Sequence, residues 1–278
     1  MAKRIYEHHF LIRRDKLCPF KLSFVEKSYG CGCNWHRNIE IITIVDGSGT
    51  IRYGSEVFDI EKGDFIVVNS DTLHCLNSNS GIKYRYLIVD ETFCAENGIN
   101  TENCVFAPIF RSAEAEALFE NVVSKITEYS ACKDSALPIK IAKARHAVLA
   151  FLIYICENHS DHKPTHERSS KNTDEYVKKI IAYMSEKYSE ELNLDGLAEI
   201  CGITKPYLSR EFKNYTGQTV MTYLNVIRCK NAELLLAEGR SVTEVAYECG
   251  FESVSYFSRT YKKIMGVSPS KIKITVNG

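Results

Sequence analysis

Short apolar runs alternate with tight turns between residues 20 and 90. The runs are rich in β-branched and aromatic residues, and stretches such as DGSG and EKGD separate them. They occupy residues 21–27, 39–45, 49–53, 56–60, 64–69, 72–77 and 82–90. Short strands at such regular spacing are typical of a β-sandwich or a β-barrel. We therefore predict a β domain over about residues 20–90.

The period of the pattern becomes helical after residue 110. Leu118, Val122 and Ile126 recur every four residues, and the next segment has Pro138 where a helix would have its first turn, a position that tolerates proline. We predict helices over about 111–158. The ten residues from 147 to 156 are apolar on most sides, so we expect them to pack on a second subunit as well. This run is about half as long as a membrane span.

A polar segment from 160 to 173 follows these helices. It is almost free of large apolar residues, which is typical of a flexible interdomain linker. The sequence therefore predicts an N-terminal domain over 1–159, a linker over 160–173 and a C-terminal domain over 174–278.

The C-terminal domain has a helical pattern throughout. A long helix is predicted over about 218–238, between two short helices with clear start and stop signals. Those signals are Asn193 and Gly202 for the first short helix, and a Ser241–Glu244 capping box with Gly250 for the second.

The C-terminal domain contains an internal repeat. LAEICG at 197–202 pairs with VAYECG at 245–250 at an offset of 48, and residues 207–217 pair with 256–266 at an offset of 49. A short helix, a turn with glycine and a second helix make a helix-turn-helix unit. The sequence predicts two such units.

The second helix of each unit has two distinct faces. Leu208 and Phe212 in the first copy, like Phe257 and Tyr261 in the second, are four residues apart and should face the core. A small and basic stripe lies on another face, consisting of Pro206, Ser209, Arg210 and Lys213 in the first copy and Ser255, Ser258, Arg259 and Lys262 in the second.

These stripes suit contact with DNA. Small residues let a helix approach base edges, arginine bonds guanine through two atoms, and lysine suits a phosphate. The net charge is +2 over 204–214 and +3 over 253–263. A single stripe of this kind is more often a solvated helix face, but its duplication favours DNA binding. A helix over 218–238 would be about 30 Å long, close to the ~34 Å between successive major grooves on one side of the duplex.

The composition of the chain indicates how it could attract nucleic acid or lipid and in which compartment it lies. The chain has 278 residues, enough for two domains, with 35 basic and 35 acidic side chains, so only local patches can attract nucleic acid or lipid. Eleven cysteines without a C-x-x-C pair, and an N-terminus without an apolar signal core, predict a cytoplasmic protein with reduced thiols and no membrane partner.

Residues 174–278 resemble the AraC/XylS family of transcription regulators. The resemblance lies in LAEICGITKPYLSREFKNYTG and VTEVAYECGFESVSYFSRTYKKIMGVSPSKI. It implies two helix-turn-helix units that bind an asymmetric promoter or operator site, usually as an activator that works with RNA polymerase. By position it also implies that Val254 faces the bases, although Pro206 and Val254 stand where the family often has polar or aromatic residues.

The N-terminal domain resembles the cupin-type sensor domain of such regulators. NWHRNIEIITIVDGSGT and KGDFIVVNSDTLH are similar to the two cupin motifs, which implies a β jelly roll with trailing helices. Metal-binding cupins have two histidines and a glutamate in the first motif and a histidine in the second. Those positions hold Asn34, His36, Glu40 and His74 here.

Three interpretations of this site remain open. His36, Glu40 and His74 could hold a divalent metal, could bond a polar ligand, or could form a hydrogen-bonded cluster without a ligand. We expect no cofactor and a small polar effector, a carbohydrate, because aromatic faces stack on sugars. The aromatic candidates are Trp35, Tyr53, Tyr84 and Tyr86.

The first hypothesis is therefore a homodimeric, ligand-controlled transcription regulator rather than an enzyme. Its alternative is a metal-dependent cupin enzyme with a DNA-binding tail. A third class, alkyl-transfer DNA repair with a cysteine acceptor, is excluded because no four-thiol zinc cluster can be assembled from neighbouring cysteine pairs.

Overall fold

A computed structural model describes residues 17–30, 33–101, 104–132, 137–161 and 171–272. The described residues belong to two compact units, one on each side of residues 162–170. The N-terminal unit contains the β-sheet and the first helices, and the C-terminal unit is helical. The expected α+β architecture is confirmed. Among the described helices, none is long and apolar enough to cross a membrane.

The described part of the N-terminal unit contains nine strands and three helices. The strands are β1 (Phe20–Gly30), β2 (Ile39–Asp46), β3 (Ser48–Tyr53), β4 (Glu56–Glu61), β5 (Phe65–Val68), β6 (His74–Val89), β7 (Val105–Phe106), β8 (Ile109–Phe110) and β9 (Ser160–Asp161). The helices are α1 (Glu91–Glu96), α2 (Ala113–Ser130) and α3 (Leu137–Asn158).

Seven strands form one antiparallel sheet that curls into a half-barrel. The order is β4-β3-β6-β2-β5-β8, with β1 also paired to β6, while β7 and β9 form a separate pair. Central strand β2 is buried from Ile39 to Ile44, because both faces of the sheet are covered. Ile39 and Ile41 pack in a core with residues of α2 and α3. We call the sheet face that contributes to this core the outer face. Ile42 and Ile44 belong to a second core on the inner face.

The sheet differs from the sequence prediction in strand β6. The predicted strands 72–77 and 82–90 are one continuous strand, His74–Val89. Its first residues pair with β3 and its later ones with β1 and β2. The polar stretch 77–81 lies inside this strand as an irregularity: Asn77 pairs with Gly30 and Thr50, the register with β1 shifts before Ile82, and Gly81 has a φ of 90°.

The predicted linker is shorter than expected at both ends. Ser160–Asp161 forms β9, which pairs with β7, and α4 starts at Lys171. Polar composition did not exclude these pairings, because short edge strands and first helical turns are themselves polar. The remainder of the predicted linker lies outside the described residues.

The expectation of reduced thiols is wrong for two cysteines. Cys33 and Cys75 form a disulfide with their Cα atoms 4.4 Å apart, and both residues are buried. They are 42 residues apart in sequence, so no local spacing motif marks the pair. The fold brings them together because Asn34 and His74 form a β-bridge beside them.

Helices account for the described C-terminal unit. They are α4 (Lys171–Glu186), α5 (Leu194–Ile200), α6 (Lys205–Thr216), α7 (Val220–Ala237), α8 (Val242–Glu248), α9 (Val254–Met265) and a 3₁₀ turn at Pro269–Lys271. The predicted signals are confirmed: Asn193 caps α5, and Ser241 with Glu244 forms the capping box of α8. Gly217 and Gly266, with φ of 73° and 78°, end α6 and α9 in the left-handed region, where glycine has no Cβ penalty.

Each repeat of the C-terminal unit includes three helices. Helix α4 contacts α6, and α7 contacts both α8 and α9. A hydrogen bond of 3.1 Å between the hydroxyl groups of Thr173 and Tyr207 joins α4 to α6. In the same way, the amide of Asn225 donates to the Tyr256 hydroxyl at 3.0 Å and joins α7 to α9. Helix α7 thus belongs to the second helix-turn-helix repeat and also connects it to the first.

Candidate functional sites

Helices α6 and α9, called the recognition helices below, separate their side chains into two faces as the periodicity predicts. Leu208, Phe212, Phe257 and Tyr261 are all at most 1% exposed. On the other face, the exposed residues are Pro206, Arg210 and Lys213 of α6, with Ser255, Arg259 and Lys262 of α9, and Ser209 and Ser258 are half buried. The basic side chains of both stripes are therefore accessible.

Val254 does not follow this arrangement. It is half buried and packs against the core of the second helix-turn-helix unit. Ser209 and Ser258 are half buried as well, so contact between Val254 and a base stays a prediction. The resemblance placed it by alignment position alone, which carries no information on burial.

Arg210 is exposed but already has neighbours. Its Nε lies 2.7 Å from Glu211 Oε1, and its guanidinium lies 5.4 Å from the centre of the Tyr207 ring. A surface ion pair of this kind contributes little, about 0–1 kcal/mol. The side chain can therefore exchange Glu211 for another partner at small cost.

His36, Glu40 and His74, called the histidine–carboxylate cluster, lie together in the N-terminal unit. Glu40 is on β2, His74 begins β6, and His36 precedes β2. Their relative exposures are 8%, 8% and 4% in chain order. The ligand-capable atoms of the three side chains lie within 4.8 Å of one another. The sequence prediction that these three residues share a site agrees with this geometry.

One carboxylate oxygen faces both imidazoles. Glu40 Oε2 lies 3.0 Å from Nε2 of His36 and 3.3 Å from Nε2 of His74. Burial acts to raise the pKa of Glu40, but the hydrogen bonds and charges of the two histidines outweigh it and hold the pKa well below its usual range. The carboxyl group is thus ionised at neutral pH.

The other predicted effector residues lie around this cluster. The backbone of His74 pairs with that of Asn34 in a β-bridge and with that of Tyr53 on strand β3. Tyr53, Tyr84 and Tyr86 all pack with the inner-face core. The Tyr53 hydroxyl donates to the carbonyl of Val67 at 3.2 Å, and burial followed by the charge of Glu40 raises its pKa well above the usual value. Trp35 is half buried next to His36 in the chain.

A polar cleft missed by the sequence interpretation opens at the other end of β3. Its volume is about 690 Å³, and its lining includes Ser48, Asp59, Asn77 and Arg111. Arg111 donates to Asp64 Oδ1 at 2.6 Å. The cleft does not include the histidine–carboxylate cluster. Ser48 at the start of β3 lines the cleft, whereas His74 of the cluster pairs with Tyr53, five residues further along β3. The residues that line the cleft come from separate strands and turns and mix polar residues with Ile60 and Ile109, so they form no sequence motif.

Comparison with known proteins matches both units. A helix-turn-helix domain family matches residues 197–273, and the AraC-like ligand binding domain family matches residues 26–138. The Msm operon regulatory protein of Streptococcus mutans is 21% identical over 251 residues, covering 89% of this chain and 88% of that protein.

Two further similarities span most of the chain. The HTH-type transcriptional activator RhaS of Pectobacterium carotovorum is 21% identical over 250 residues, 86% of each protein. A crystal structure of ToxT from Vibrio cholerae aligns with a TM-score of 0.46 and 15% identity, over 91% of this chain and 97% of that one.

Proposed function

Because the chain belongs to the AraC family of DNA-binding transcription regulators that carry a ligand-binding domain, we propose that its recognition helices bind an asymmetric promoter site under the control of a small polar metabolite. The observation that carries the proposal is the duplicated exposed stripe. Arg210 with Lys213, and Arg259 with Lys262, occupy equivalent exposed positions above equivalent buried pairs.

The two stripes differ in ways that favour an asymmetric target. Pro206 stands where the second copy has Ser255, and Glu211 stands where it has Thr260. Proline offers no side-chain hydrogen bond, and Glu211 places a carboxylate beside Arg210, so the two helices should prefer different bases. Helix α7 has 18 residues, or about 27 Å at the usual rise per residue, which is near the length needed to reach successive major grooves.

Selection from random duplexes with the purified full-length chain tests this function. We expect enrichment of two different half-sites about 10–10.5 base pairs apart. Recovery of no sequence preference, or of one half-site alone, would contradict the proposal. Lys143→Ala, which removes an exposed positive charge from α3, should select the same sequences as the wild type.

The inner face of the N-terminal sheet is the proposed effector site. Tyr84 and Tyr86 have ring centres 6.3 Å apart, and Asn34 and the histidine–carboxylate cluster supply polar atoms near Tyr53. Aromatic rings stack on sugar C–H surfaces while polar groups bond hydroxyls. This combination supports a carbohydrate effector.

A thermal-shift screen tests the effector. Monosaccharides, disaccharides and sugar acids are compared with amino acids and fatty acids. A sugar at 100 times its Kd should stabilise the N-terminal unit by about 2.7 kcal/mol, and Tyr86→Ala should abolish the shift while Tyr247→Ala, exposed on α8, should not. Shifts with fatty acids alone would contradict a carbohydrate effector.

The remaining parts of the proposal concern assembly and regulation. We propose a homodimer through α2 and α3, action as an activator that contacts RNA polymerase, and location in the cytoplasm with the DNA. The support for dimerisation is α3, where Ile139 and Ile153 are 57% and 43% exposed. We propose no catalytic activity.

A further inference from the structure

The exposed arginine of the first recognition helix, Arg210, is held on two sides. Its Nε lies 2.7 Å from Glu211 Oε1, and its guanidinium carbon lies 5.4 Å from the centre of the Tyr207 ring. The hydrogen bond to Glu211 uses Nε, which lies on the stem side of the guanidinium group. The two terminal nitrogens can therefore bond a further partner while Nε stays on Glu211.

The two groups that hold Arg210 are themselves restricted. The side chain of Glu211 is only 19% exposed, compared with 66% for that of Arg210. Tyr207 is half buried, and its hydroxyl lies 3.1 Å from Oγ1 of Thr173, a buried residue of helix α4. Burial thus limits the movement of Glu211, and a hydrogen bond to another helix limits that of Tyr207.

The second recognition helix differs from the first in this arrangement. The equivalent positions, 49 residues further along the chain, are Tyr256, Arg259 and Thr260. Thr260 has no carboxylate, and the ring of Tyr256 packs against Phe251, with ring centres 6.0 Å apart. Within the described part of the chain, Arg259 makes no ion pair and no cation–π contact. Its side chain is therefore freer to rotate than that of the equivalent arginine in the first copy.

A held arginine should distinguish bases better than a free one. Guanine is recognised through two hydrogen bonds, to O6 and N7, and both form only in one orientation of the guanidinium. A mobile side chain loses rotational freedom when it binds, and it can also turn to a phosphate or to a neighbouring base. A side chain whose Nε and one face are already occupied keeps its terminal nitrogens in one direction. The ion pair with Glu211 contributes little to stability, so its effect concerns orientation.

We propose that Tyr207 and Glu211 are positioning residues that orient Arg210 toward O6 and N7 of one guanine. The first recognition helix consequently discriminates for guanine more strongly than the second. Neither positioning residue needs to contact DNA itself. The inference rests on the proposed function, because it requires that both recognition helices bind in major grooves. It adds that the two half-sites differ in how strictly they are read, and not only in which bases they contain.

Exchange of the residues at equivalent positions tests the role of Glu211 in the full-length protein. Arg210→Ala and Arg259→Ala identify the guanine that is read in each half-site of the selected duplex. The discrimination ratio of a half-site is the Kd of the duplex with that guanine replaced, divided by the Kd of the selected duplex.

Glu211→Thr should lower the discrimination ratio about 2- to 10-fold in the first half-site only, because Arg210 then has to be ordered on binding. Thr260→Glu should raise the ratio by a similar factor in the second half-site. Glu233→Thr, which removes an exposed carboxylate from α7, should leave both ratios unchanged.

Two substitutions of Tyr207 separate positioning from folding. Tyr207→Leu removes the aromatic face and should lower the discrimination ratio of the first half-site about 2- to 10-fold, whereas Tyr207→Phe keeps the ring and should retain most of the ratio. A purely structural role would weaken binding to every duplex by the same factor and leave the ratio unchanged. That result for Tyr207→Leu, or an unchanged ratio for Glu211→Thr, would overturn the proposal.

The variant Arg210→Ala makes failure of this inference distinguishable from failure of the proposed function. If Arg210→Ala loses the discrimination of the first half-site while Glu211→Thr and Tyr207→Leu retain it in full, DNA recognition by Arg210 stands and the positioning roles are wrong. If Arg210→Ala itself retains the full ratio, the proposed function fails and the inference fails with it.

Discussion

Arg228 lies in the interior of the C-terminal unit, 8% exposed. Its Nε donates to the carbonyl of Tyr188 at 2.8 Å and its Nη2 to the carbonyl of Glu190 at 2.9 Å. Gly250 also lies against this segment, because a Cβ built there would be 2.8 Å from the Tyr188 carbonyl oxygen. The Arg228 guanidinium also lies 5.7 Å from the centre of the Phe251 ring, so this residue of α7 contacts both the segment after α4 and the turn after α8. Helical periodicity did not reveal this role, since a lone arginine in a long helix usually indicates a solvated position.

Arg228→Met should lower the free energy of unfolding of the C-terminal unit by about 2–4 kcal/mol, because two partly buried carbonyls lose a charged donor. Urea unfolding followed by circular dichroism at 222 nm measures the change. Lys230→Met, a similar substitution at a partly exposed site on the same helix, should change it by less than about 0.5 kcal/mol. Equal effects of the two substitutions would contradict the role given to Arg228.

The capping box of α8 makes a prediction with a pH dependence. Ser241 Oγ accepts from the backbone of Glu244, and Glu244 Oε2 accepts from the backbone of Ser241. Ser241→Ala should therefore cost about 1 kcal/mol of stability at pH 7. The bonds from Ser241 lower the pKa of Glu244 below 4.5, so their contribution is present above that pH and is lost as the pH falls through the lowered value.

Urea unfolding of wild type and Ser241→Ala at pH 7 and at decreasing pH measures this effect. The gap between the two proteins should narrow below about pH 4.5. Ser270→Ala, in the exposed part of the 3₁₀ turn, should show no gap at either pH. A gap that widens on acidification would contradict the assignment.

At the scale of elements, the sequence predicted the strands more reliably than their faces. Strand β2 is apolar at almost every position, so its pattern does not indicate that Glu40, Ile42 and Ile44 point inward while Ile39 and Ile41 point toward the helices. The candidate residues could be named from sequence, but the orientation of each imidazole depends on a carbonyl oxygen: that of Asn38 lies 2.7 Å from Nδ1 of His36, and that of Thr72 lies 3.0 Å from Nδ1 of His74. Those contacts follow from backbone geometry and leave no residue pattern.

The Cys33–Cys75 disulfide should stabilise the sheet elements that it joins. A bond that closes a loop of 42 residues constrains the unfolded chain and contributes about 2–4 kcal/mol. Cys33→Ser with Cys75→Ser should lower the stability of the N-terminal unit by that amount. Fluorescence of Trp35, the one tryptophan in the chain, follows the unfolding of this unit.

Cys132→Ser is the control for this experiment, because Cys132 is a half-buried cysteine outside the disulfide. It should leave the unfolding curve unchanged. An intact mass that does not change when the unfolded wild type is reduced would show that the disulfide is absent in solution.

At the scale of the whole molecule, α3 has apolar residues beyond those used in its own core. Phe151, Leu152 and Ile155 are buried against the outer face, whereas Ile139 and Ile153 are exposed. They are fourteen residues apart, which is close to four helical turns and places them on one stripe. This stripe supports the proposal that α3 contacts a second subunit, a contact that the sequence alone predicts from the apolar run 147–156.

Ile139→Glu with Ile153→Glu should convert the proposed dimer to a monomer, because two buried carboxylates would oppose each other across the interface. Sedimentation equilibrium measures the change. Leu234→Glu, at an exposed position on α7, should remain dimeric. A wild type that sediments as a monomer at micromolar concentration would contradict the proposed interface.

The most direct test of DNA recognition by two equivalent helices is a binding measurement with Arg210→Ala and Arg259→Ala on the selected duplex. Each substitution should weaken binding by about 1–3 kcal/mol and remove base preference in one half-site only, a different half-site for each variant. Lys143→Ala should bind like the wild type. Unchanged affinity and base preference in both arginine variants would contradict the account.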